Sequence, residues 1–156
     1  MMSSHRQYDD EPHEAVASMG RKVCRVCDDF KSWRKNKNEE PRSPSCPLDR
    51  EELGRNTWSF IHTMAAYYPR KPTEQQQCEM KQFIESFSKF YPCVDCAEDL
   101  RKNIKLNPPK VGGRVDLSRW FCEQHNIVNL KLGKQQFDCS KVLERWKNGW
   151  KDGSCD

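Results

Sequence analysis

The chain has 156 residues, enough for one domain of ordinary size and a tail. Hydrophobic residues make up 35% of the chain and charged residues 32%, with a formal net charge of +4. Acidic and basic residues alternate closely without a long basic stripe, which argues against nucleic-acid binding. No run approaches the ~18 apolar residues that a membrane span needs, so we expect no membrane-spanning segment.

The first 45 residues contain few apolar groups, and Lys, Asn, Glu, Pro and Ser are dense from residue 31 to residue 45. Such a composition predicts a flexible arm, residues 1–45, that carries Cys24 and Cys27. The folded domain is expected to occupy 46–156. Four acidic side chains and no apolar core within the first 19 residues argue against a secretory signal and an Arg-rich presequence.

The spacing of apolar residues from Cys46 onward predicts helices. Asp49 with Glu52 is typical of a capping box at the start of a first helix, and Thr73 with Gln76 of one at the start of a second. The apolar positions of these two helices are Leu53, Thr57, Phe60, Ile61, Met64 and Tyr68, followed by Met80, Phe83, Ile84, Phe87, Phe90 and Tyr91.

Three further helices are predicted in the second half of the chain. One begins at the Cys93–Cys96 motif and stops before Pro108, and Asp116 is expected to cap the next, which Gly133 ends. Ser140 is expected to open a short fifth helix that holds Trp146 and Trp150. No strand-like alternation competes with this pattern. The fold class predicted is therefore all-α, a four-helix bundle with a short fifth helix.

Cysteine pairs of the form CxxC are the most informative feature of the chain. Cys93 and Cys96 lie where an aromatic-rich helix ends and a charged helix begins. Unsatisfied N–H groups and the helix dipole at such an N-terminus stabilise a thiolate, the species that attacks disulfides. A second pair, Cys24 and Cys27, lies in the polar arm. Two such pairs suggest that electrons pass from one to the other.

A zinc site is the first alternative for these cysteines. Zinc ribbons usually separate their two CxxC pairs by about 15–20 residues, whereas 65 residues separate Cys27 from Cys93. This spacing argues against zinc, and we expect no metal. Cys78 has no obvious partner and lies on the polar side of the second helix, so it is interpreted as a free thiol.

The other cysteines favour structural roles. Cys122 and Cys139 flank the loop before the fifth helix, and a bridge there would hold a helix too short to be stable alone. Cys46 and Cys155 bracket the folded region. They could join each other, or join two chains across a symmetric dimer.

A redox-active dithiol needs an acceptor for two electrons, and a flavin can pass them on to oxygen. The chain contains no GxGxxG motif, so a flavin would have to lie within the helical bundle. Trp58 with His62 and the cluster around His125 are candidate contacts. Each of these residues also has an ordinary structural explanation, and periodicity alone leaves the flavin open.

Five stretches of the chain resemble the Erv/ALR sulfhydryl oxidases, which bind FAD in a four-helix bundle with a short fifth helix. The similarity covers essentially all of 46–156 and includes the CRVC of the arm. The stretches are DREELGRNTW (49–58), YYP (67–69), FSKFYPCVDCAEDLR (87–101), HNIVNLKLGK (125–134) and WKDGSCD (150–156).

The resemblance implies a role for each redox cysteine. Cys93 and Cys96 would form the pair beside FAD, with Cys96 nearer the isoalloxazine and Cys93 open to exchange. Cys24 and Cys27 would be the shuttle pair, which takes electrons from a substrate and passes them to Cys93 of the partner subunit.

Further implied residues are structural or bind the cofactor. Cys122 and Cys139 would form a structural bridge, and Cys46 and Cys155 the intersubunit bridges of a head-to-tail homodimer. The residues that would bind FAD are Arg50, Gly54, Arg55, Trp58, His62, Tyr91, Cys122, His125, Asn126, Asn129, Lys131, Leu132, Lys134, Arg145, Trp146, Trp150 and Lys151.

The resemblance also implies a place and partners. Members with a long arm work in the mitochondrial intermembrane space, where they reoxidise the import oxidoreductase that introduces disulfides. They pass electrons to oxygen or cytochrome c. A shorter cytosolic or secreted form is conceivable on the same grounds. A non-enzymatic extracellular growth-factor-like ligand is the alternative function.

Overall fold

Four α-helices and a short C-terminal helix make up the fold of residues 46–155, the part of the chain that this computed structural model describes. The α-helices are α1 (Arg50–Tyr67), α2 (Glu74–Phe90), α3 (Val94–Leu106) and α4 (Arg114–Lys131). The C-terminal helix, residues 139–148, begins as a 3-10 turn, Cys139–Lys141, and ends as a π-helical turn, Glu144–Asn148. The all-α prediction is confirmed, while the predicted arm with Cys24 and Cys27 lies outside the described residues.

Both predicted capping boxes are present. The Asp49 carboxylate accepts a hydrogen bond from the Glu52 backbone N–H at 2.8 Å, and the Glu52 carboxylate lies 3.5 Å from the Asp49 backbone N. Thr73 and Gln76 make the same reciprocal pair at the start of α2, at 3.2 and 2.9 Å. Each box satisfies two of the N–H groups that a helix start leaves without partners.

The prediction that Asp116 caps α4 is wrong, because the N-cap lies three residues earlier in the chain. Gly113 is the N-cap, and the Arg114 N–H donates to the Pro69 carbonyl at 3.0 Å. A Cβ on Gly113 would lie 2.8 Å from the carbonyl oxygen of Arg70. Contact between the start of α4 and the α1–α2 connection therefore sets the boundary, and only glycine allows that approach.

The C-terminal helix differs slightly from its prediction. Asp138 rather than Ser140 is the N-cap, and its carboxylate accepts from the Ser140 N–H at 3.0 Å. The helix ends at Asn148 because Gly149 takes a positive φ of 77°. Trp150 therefore lies beyond the helix, although the spacing predicted it inside. Gly133, with a φ of 66°, follows the end of α4 as predicted.

The core lies between α1, α2 and α4. Ile61 and Ala65 of α1 pack with Ile84 of α2 and with Trp120 and Phe121 of α4. Trp120 has no exposed surface, and its indole N–H donates to the Asn107 carbonyl at 3.0 Å. This cluster holds α1 against α4, while α2 lies against α3.

Several positions predicted as core face solvent in the single chain. Phe60 is 60% exposed and Phe90 83% exposed. Phe60 lies on the solvent side of α1, because the next residue, Ile61, lies on the buried side. Phe90 is exposed at the end of α2, of which it is the last residue. Within residues 46–155 no helix is both long and apolar enough to cross a membrane.

Candidate functional site

Cys93 and Cys96 form a disulfide at the start of α3. Cys93 is the N-cap residue, and its carbonyl accepts the first helical hydrogen bond from the Ala97 N–H at 2.8 Å. Cys96 lies in the first turn. The pair therefore occupies the helix N-terminus that the sequence predicted for it, where backbone N–H groups stabilise a thiolate.

The two sulfurs differ in surroundings. Cys96 is half-buried, whereas Cys93 has no exposed surface. The expectation that Cys93 is open to exchange is therefore wrong for this conformation of the chain. The short turn from Phe90 to Cys93 folds α3 back beside α2, and Cys93 lies inside that junction. An attacking thiolate can reach Cys93 only after a local opening of the turn.

A cavity of about 620 Å³ opens beside this disulfide, and Cys96 forms part of its wall. All four α-helices and the C-terminal helix contribute to the lining, with Trp58 from α1, Phe87 from α2 and Trp146 from the C-terminal helix. Tyr91 also borders the cavity, and burial raises its pKa although a hydrogen bond with Thr57 and the charge of Arg50 act in the opposite direction. The volume suits a ligand the size of a large organic cofactor.

Four aromatic rings are stacked beside the cavity, and three of them, Trp58, His125 and Trp146, line it. The His125 ring lies 4.1 Å from the Trp58 ring at an interplanar angle of 3°, and the His62 ring lies 4.9 Å from the Trp146 ring at 12°. The guanidinium of Arg145 stands 4.3 Å above Trp146. Parallel rings of this kind present flat faces to a flat ligand.

The two histidines are neutral at pH 7. Burial, together with the nearby His125 and Arg145, lowers the pKa of His62 to about 3. Burial and the charge of Lys134 lower the pKa of His125 to about 4. A hydrogen bond of 3.0 Å joins Nε2 of His62 to Nδ1 of His125. The other nitrogen of His62, Nδ1, is buried and has no hydrogen-bond partner among the described residues.

The charges around the cavity favour an anionic ligand. Lys131 is paired with Asp99, with 2.8 Å between Nζ and the carboxylate, and Lys134 lies 3.8 Å from Glu51. Glu51 is shared with Arg55 at 3.9 Å. Cationic side chains outnumber acidic ones in the lining, the former being Arg50, Arg55, Lys131, Lys134 and Arg145 and the latter Asp49, Glu51 and Asp99.

A second disulfide fixes the C-terminal helix to α4. Cys122 and Cys139 are joined, as predicted. The Asn126 side chain makes a two-point contact with Phe137, donating to its carbonyl and accepting from its N–H, both at 2.8 Å. These contacts hold the segment that carries Trp146 against the aromatic stack.

Most of the residues that were predicted from the sequence to bind the cofactor line one of two adjoining cavities at this site. His62, Cys122 and Asn126 line an adjoining cavity of about 340 Å³. Trp150 and Lys151 line neither cavity, and Lys151 is instead paired with Glu144 at 3.6 Å. Those on the larger cavity are Arg50, Gly54, Arg55, Trp58, Tyr91, His125, Asn129, Lys131, Leu132, Lys134, Arg145 and Trp146.

Three cysteines of the described residues are not part of a disulfide. Cys46, Cys78 and Cys155 are exposed and unpaired in the described single chain. A bond between Cys46 and Cys155 of two chains stays a prediction. Within residues 46–155 no group of three or more His, Cys, Asp or Glu side chains is arranged to hold a metal ion.

Sequence reasoning missed Gln124, which also lines the larger cavity. It is 1% exposed, and neither atom of its amide has a hydrogen-bond partner in the described part of the chain. Leaving such a group unsatisfied costs about 1–3 kcal/mol. The signal was present in the sequence, since Gln124 lies three residues after Phe121 and four before Val128 on the apolar face of α4.

Fold and site define a class of protein, a helical bundle in which a disulfide at a helix N-terminus borders a cofactor-sized, aromatic and cationic cavity. A sequence model described as the Erv1 / Alr family matches residues 55–147, and the chain belongs to this family.

Individual relatives agree with this assignment. The chain is 53% identical over 104 residues to a protein of Saccharomyces cerevisiae named mitochondrial FAD-linked sulfhydryl oxidase ERV1, covering 67% of this chain and 55% of the relative. It is 51% identical over 108 residues to the protein of that name in Schizosaccharomyces pombe, covering 67% and 59%. The match thus spans little more than half of these relatives. The crystal structure of the yeast Erv1 core superimposes with a TM-score of 0.68 at 47% identity, over 75% of this chain and 99% of that one.

Proposed function

We propose that the protein is an FAD-dependent thiol oxidase that generates disulfides. The observation that carries this proposal is Cys96, one half of a disulfide at a helix N-terminus, in the wall of a cavity of about 620 Å³. Bound FAD would take up the two electrons of a dithiol and pass them to oxygen, giving hydrogen peroxide, or to cytochrome c.

The residues of the cavity fit FAD. Trp58 and His125 are stacked on each other, so the pair offers its outer faces to an aromatic ring, and the excess of cationic side chains suits a pyrophosphate. The buried Nδ1 of His62 would gain a partner from a polar ligand. Gly54 lies inside α1, where glycine costs about 1 kcal/mol relative to alanine. A Cβ there would meet nothing within 4 Å, so the space above it is free for a ligand.

The chain's own residues perform the thiol chemistry. A substrate thiolate attacks the sulfur of Cys93, the Cys93–Cys96 bond breaks, and Cys96 leaves as a thiolate stabilised by the N-terminus of α3. The second substrate thiol, once deprotonated, attacks the mixed disulfide and releases Cys93, which takes up a proton. One substrate disulfide is formed and the Cys93–Cys96 pair is reduced by two electrons.

The arm would relay electrons to this pair. Cys24 and Cys27, as a disulfide, would accept electrons from a protein substrate and, once reduced, attack Cys93 of the partner subunit. The resemblance of the CRVC motif supports this role. Burial of Cys93 is consistent with attack by a tethered thiolate, because tethering raises the effective concentration of the attacker while the turn is open.

The proposed assembly is a homodimer joined by Cys46 and Cys155. Both thiols are exposed, and Phe60 and Tyr67 expose apolar surface on α1, 60% and 61% respectively. Electrophoresis without reductant would show a covalent dimer that Cys155→Ser abolishes. A dimer band that persists in Cys155→Ser would exclude this bridge.

The proposed place of action is the mitochondrial intermembrane space, with the disulfide-carrying import oxidoreductase as the protein substrate. The naming of the two fungal relatives as mitochondrial supports the organelle. The finer compartment and the electron acceptor rest on the family resemblance.

An absorption spectrum tests the proposed activity. The purified full-length protein should be yellow, should bleach when dithiothreitol is added under argon, and should recover its colour in air. Cys96→Ser should retain the flavin colour and lose rapid bleaching. A colourless protein that takes up no added FAD would refute the oxidase and favour a non-enzymatic ligand.

A further inference from the structure

Gln124 is a buried amide with nothing to bind in the described part of the chain. Its residue is 1% exposed, and both its Oε1 and its Nε2 lack a hydrogen-bond partner. The side chain lies on the α4 face that carries Phe121 and Val128, and all three residues line the larger cavity. Amides in such apolar surroundings are normally satisfied.

Within residues 46–155, two other side chains have buried polar atoms without partners, and they help to interpret Gln124. Ser118 is also fully buried on α4, but it does not line the cavity. His62 lines the adjoining cavity and presents a single unpaired nitrogen. Among the described residues, only Gln124 combines an unpaired donor and an unpaired acceptor in one side chain with a place in the lining of the cavity that Cys96 borders.

A side-chain amide offers an N–H donor beside a C=O acceptor, and it pairs best with a ligand edge of complementary pattern. The pyrimidine ring of a flavin has such an edge, where a carbonyl oxygen stands next to a ring N–H. A hydrocarbon, or a ligand with acceptors alone, would leave one half of the amide unsatisfied.

We propose that Gln124 is a further cofactor-binding residue, which pairs its amide with the ring N–H and adjacent carbonyl of the flavin pyrimidine and so positions the isoalloxazine. This inference rests on the proposed function, because it requires that the cavity takes a flavin. The Gln124 amide would thus bind the edge of the flavin ring, in addition to the aromatic and cationic side chains already described at the cavity.

The test compares FAD with an FAD analogue methylated on the pyrimidine ring nitrogen, each reconstituted into the full-length protein. Wild type should hold FAD about three- to tenfold more tightly than the analogue, the loss expected for one neutral hydrogen bond. Gln124→Leu should weaken FAD binding by a similar factor and no longer distinguish the two flavins. Its visible flavin spectrum should also shift, since the ring loses a polar contact.

Ser118→Ala is the matched control, because it removes a buried unpaired polar atom that lies off the cavity. It should leave flavin affinity and the preference for FAD unchanged. Gln124→Met keeps the length of the side chain and serves if Gln124→Leu does not fold. A variant that binds both flavins as wild type does would overturn the role of Gln124 alone. Wild type that binds neither flavin would overturn the proposed function as well.

Discussion

Nε2 of His62 lies 3.0 Å from Nδ1 of His125, inside a stack bounded by Trp58 and Trp146. A hydrogen bond between these two nitrogens needs at least one neutral imidazole, since two imidazolium ions would oppose two donors and two like charges. Burial lowers the pKa of His62 to about 3 and that of His125 to about 4. The aromatic end of the cavity therefore depends on two uncharged imidazoles.

The first prediction is a loss of stability in mild acid. Unfolded histidine has a pKa of about 6.5, so below that pH the unfolded state binds protons that the folded state does not. Each histidine should lower the free energy of unfolding by up to about 1.4 kcal/mol per pH unit, until the pH falls through its folded pKa. Urea denaturation at pH 7, 6 and 5 would measure the slope.

His62→Phe provides the control for this prediction. It keeps a flat ring in the stack and removes one of the two titrating groups. The dependence on pH between about 6.5 and 5 should fall to roughly half of the wild-type slope, because His125 remains. An unchanged slope would show that carboxylates rather than the histidine pair govern acid stability.

The second prediction concerns the redox pair. Cys96→Ser and Cys93→Ser should each reduce thiol oxidation to background with any substrate, because no disulfide remains to exchange. Oxygen consumption with dithiothreitol measures the rate, and flavin absorbance confirms that the cavity is still filled. Cys78→Ser is the matched control, since that thiol is exposed and unpaired in the described chain. Turnover by Cys96→Ser above one tenth of wild type would contradict the proposed chemistry.

The third prediction separates the arm from the helical domain. The double variant Cys24→Ser with Cys27→Ser should keep its rate with dithiothreitol and lose oxidation of a protein substrate. The reason is that a small dithiol can enter during local opening, whereas a folded protein needs the relay. Oxidation rates of the double variant and the wild type, measured in parallel with dithiothreitol and with a protein substrate, test this prediction. An equal loss in the two assays would remove the relay role.

The fourth prediction uses the charges at the cavity. Glu51 engages both Arg55 and Lys134, at 3.9 and 3.8 Å. Glu51→Gln should release these cations toward a bound anion and tighten FAD binding about two- to fivefold at low salt, with less effect at 1 M salt. Fluorescence titration would measure the affinity.

Glu98→Gln is the comparison for Glu51→Gln. Glu98 pairs with Lys102 at 3.5 Å, and neither residue lines the cavity. This variant should leave FAD affinity unchanged. Weaker binding by Glu51→Gln would show that Glu51 orients the cations rather than competing for them.

The fifth prediction concerns the second disulfide. Replacing Cys122 and Cys139 together by serine should lower the free energy of unfolding by about 3 kcal/mol, the chain-entropy value for a loop of this length. The bridge spans a sequence separation of 17. Guanidinium denaturation of the double variant measures the change, and Cys78→Ser should stay within about 0.5 kcal/mol of wild type. A change below about 1 kcal/mol would mean that the contacts of Asn126 hold the segment without the bridge.

Sequence reasoning succeeded where the determinants are local. In each of the capping boxes at Asp49 and Thr73 the two partners are three residues apart in the chain, and both boxes form as predicted. It failed at Gly113, because the start of α4 is set by the distant carbonyls of Pro69 and Arg70. Periodicity cannot reveal such a contact.

The candidate site shows the same division. Helix position and the resemblance together predicted most of the residues that line the larger cavity. They could not predict how deeply each side chain is buried. They predicted that Cys93 is accessible to an attacking thiolate, whereas Cys93 is fully buried at the junction of α2 and α3. Gln124 was missed because the sequence does not show whether a polar residue within an apolar stripe is exposed or buried. The structure shows that its amide is buried and has no hydrogen-bond partner among the described residues. Trp150 was placed by spacing alone, and the turn at Gly149 moves it away from the site.

The placement of three tryptophans makes the molecule its own optical sensor. Trp58 and Trp146 form cavity walls, whereas Trp120 is enclosed in the core and does not line the cavity. A chromophore entering the pocket would quench the first two by energy transfer, so their emission reports occupancy. Unfolding has a different signature, because it moves the enclosed indole from the core into water and shifts its emission to longer wavelength. A change in emission intensity thus reports an emptied protein, and a shift in emission wavelength reports a denatured one.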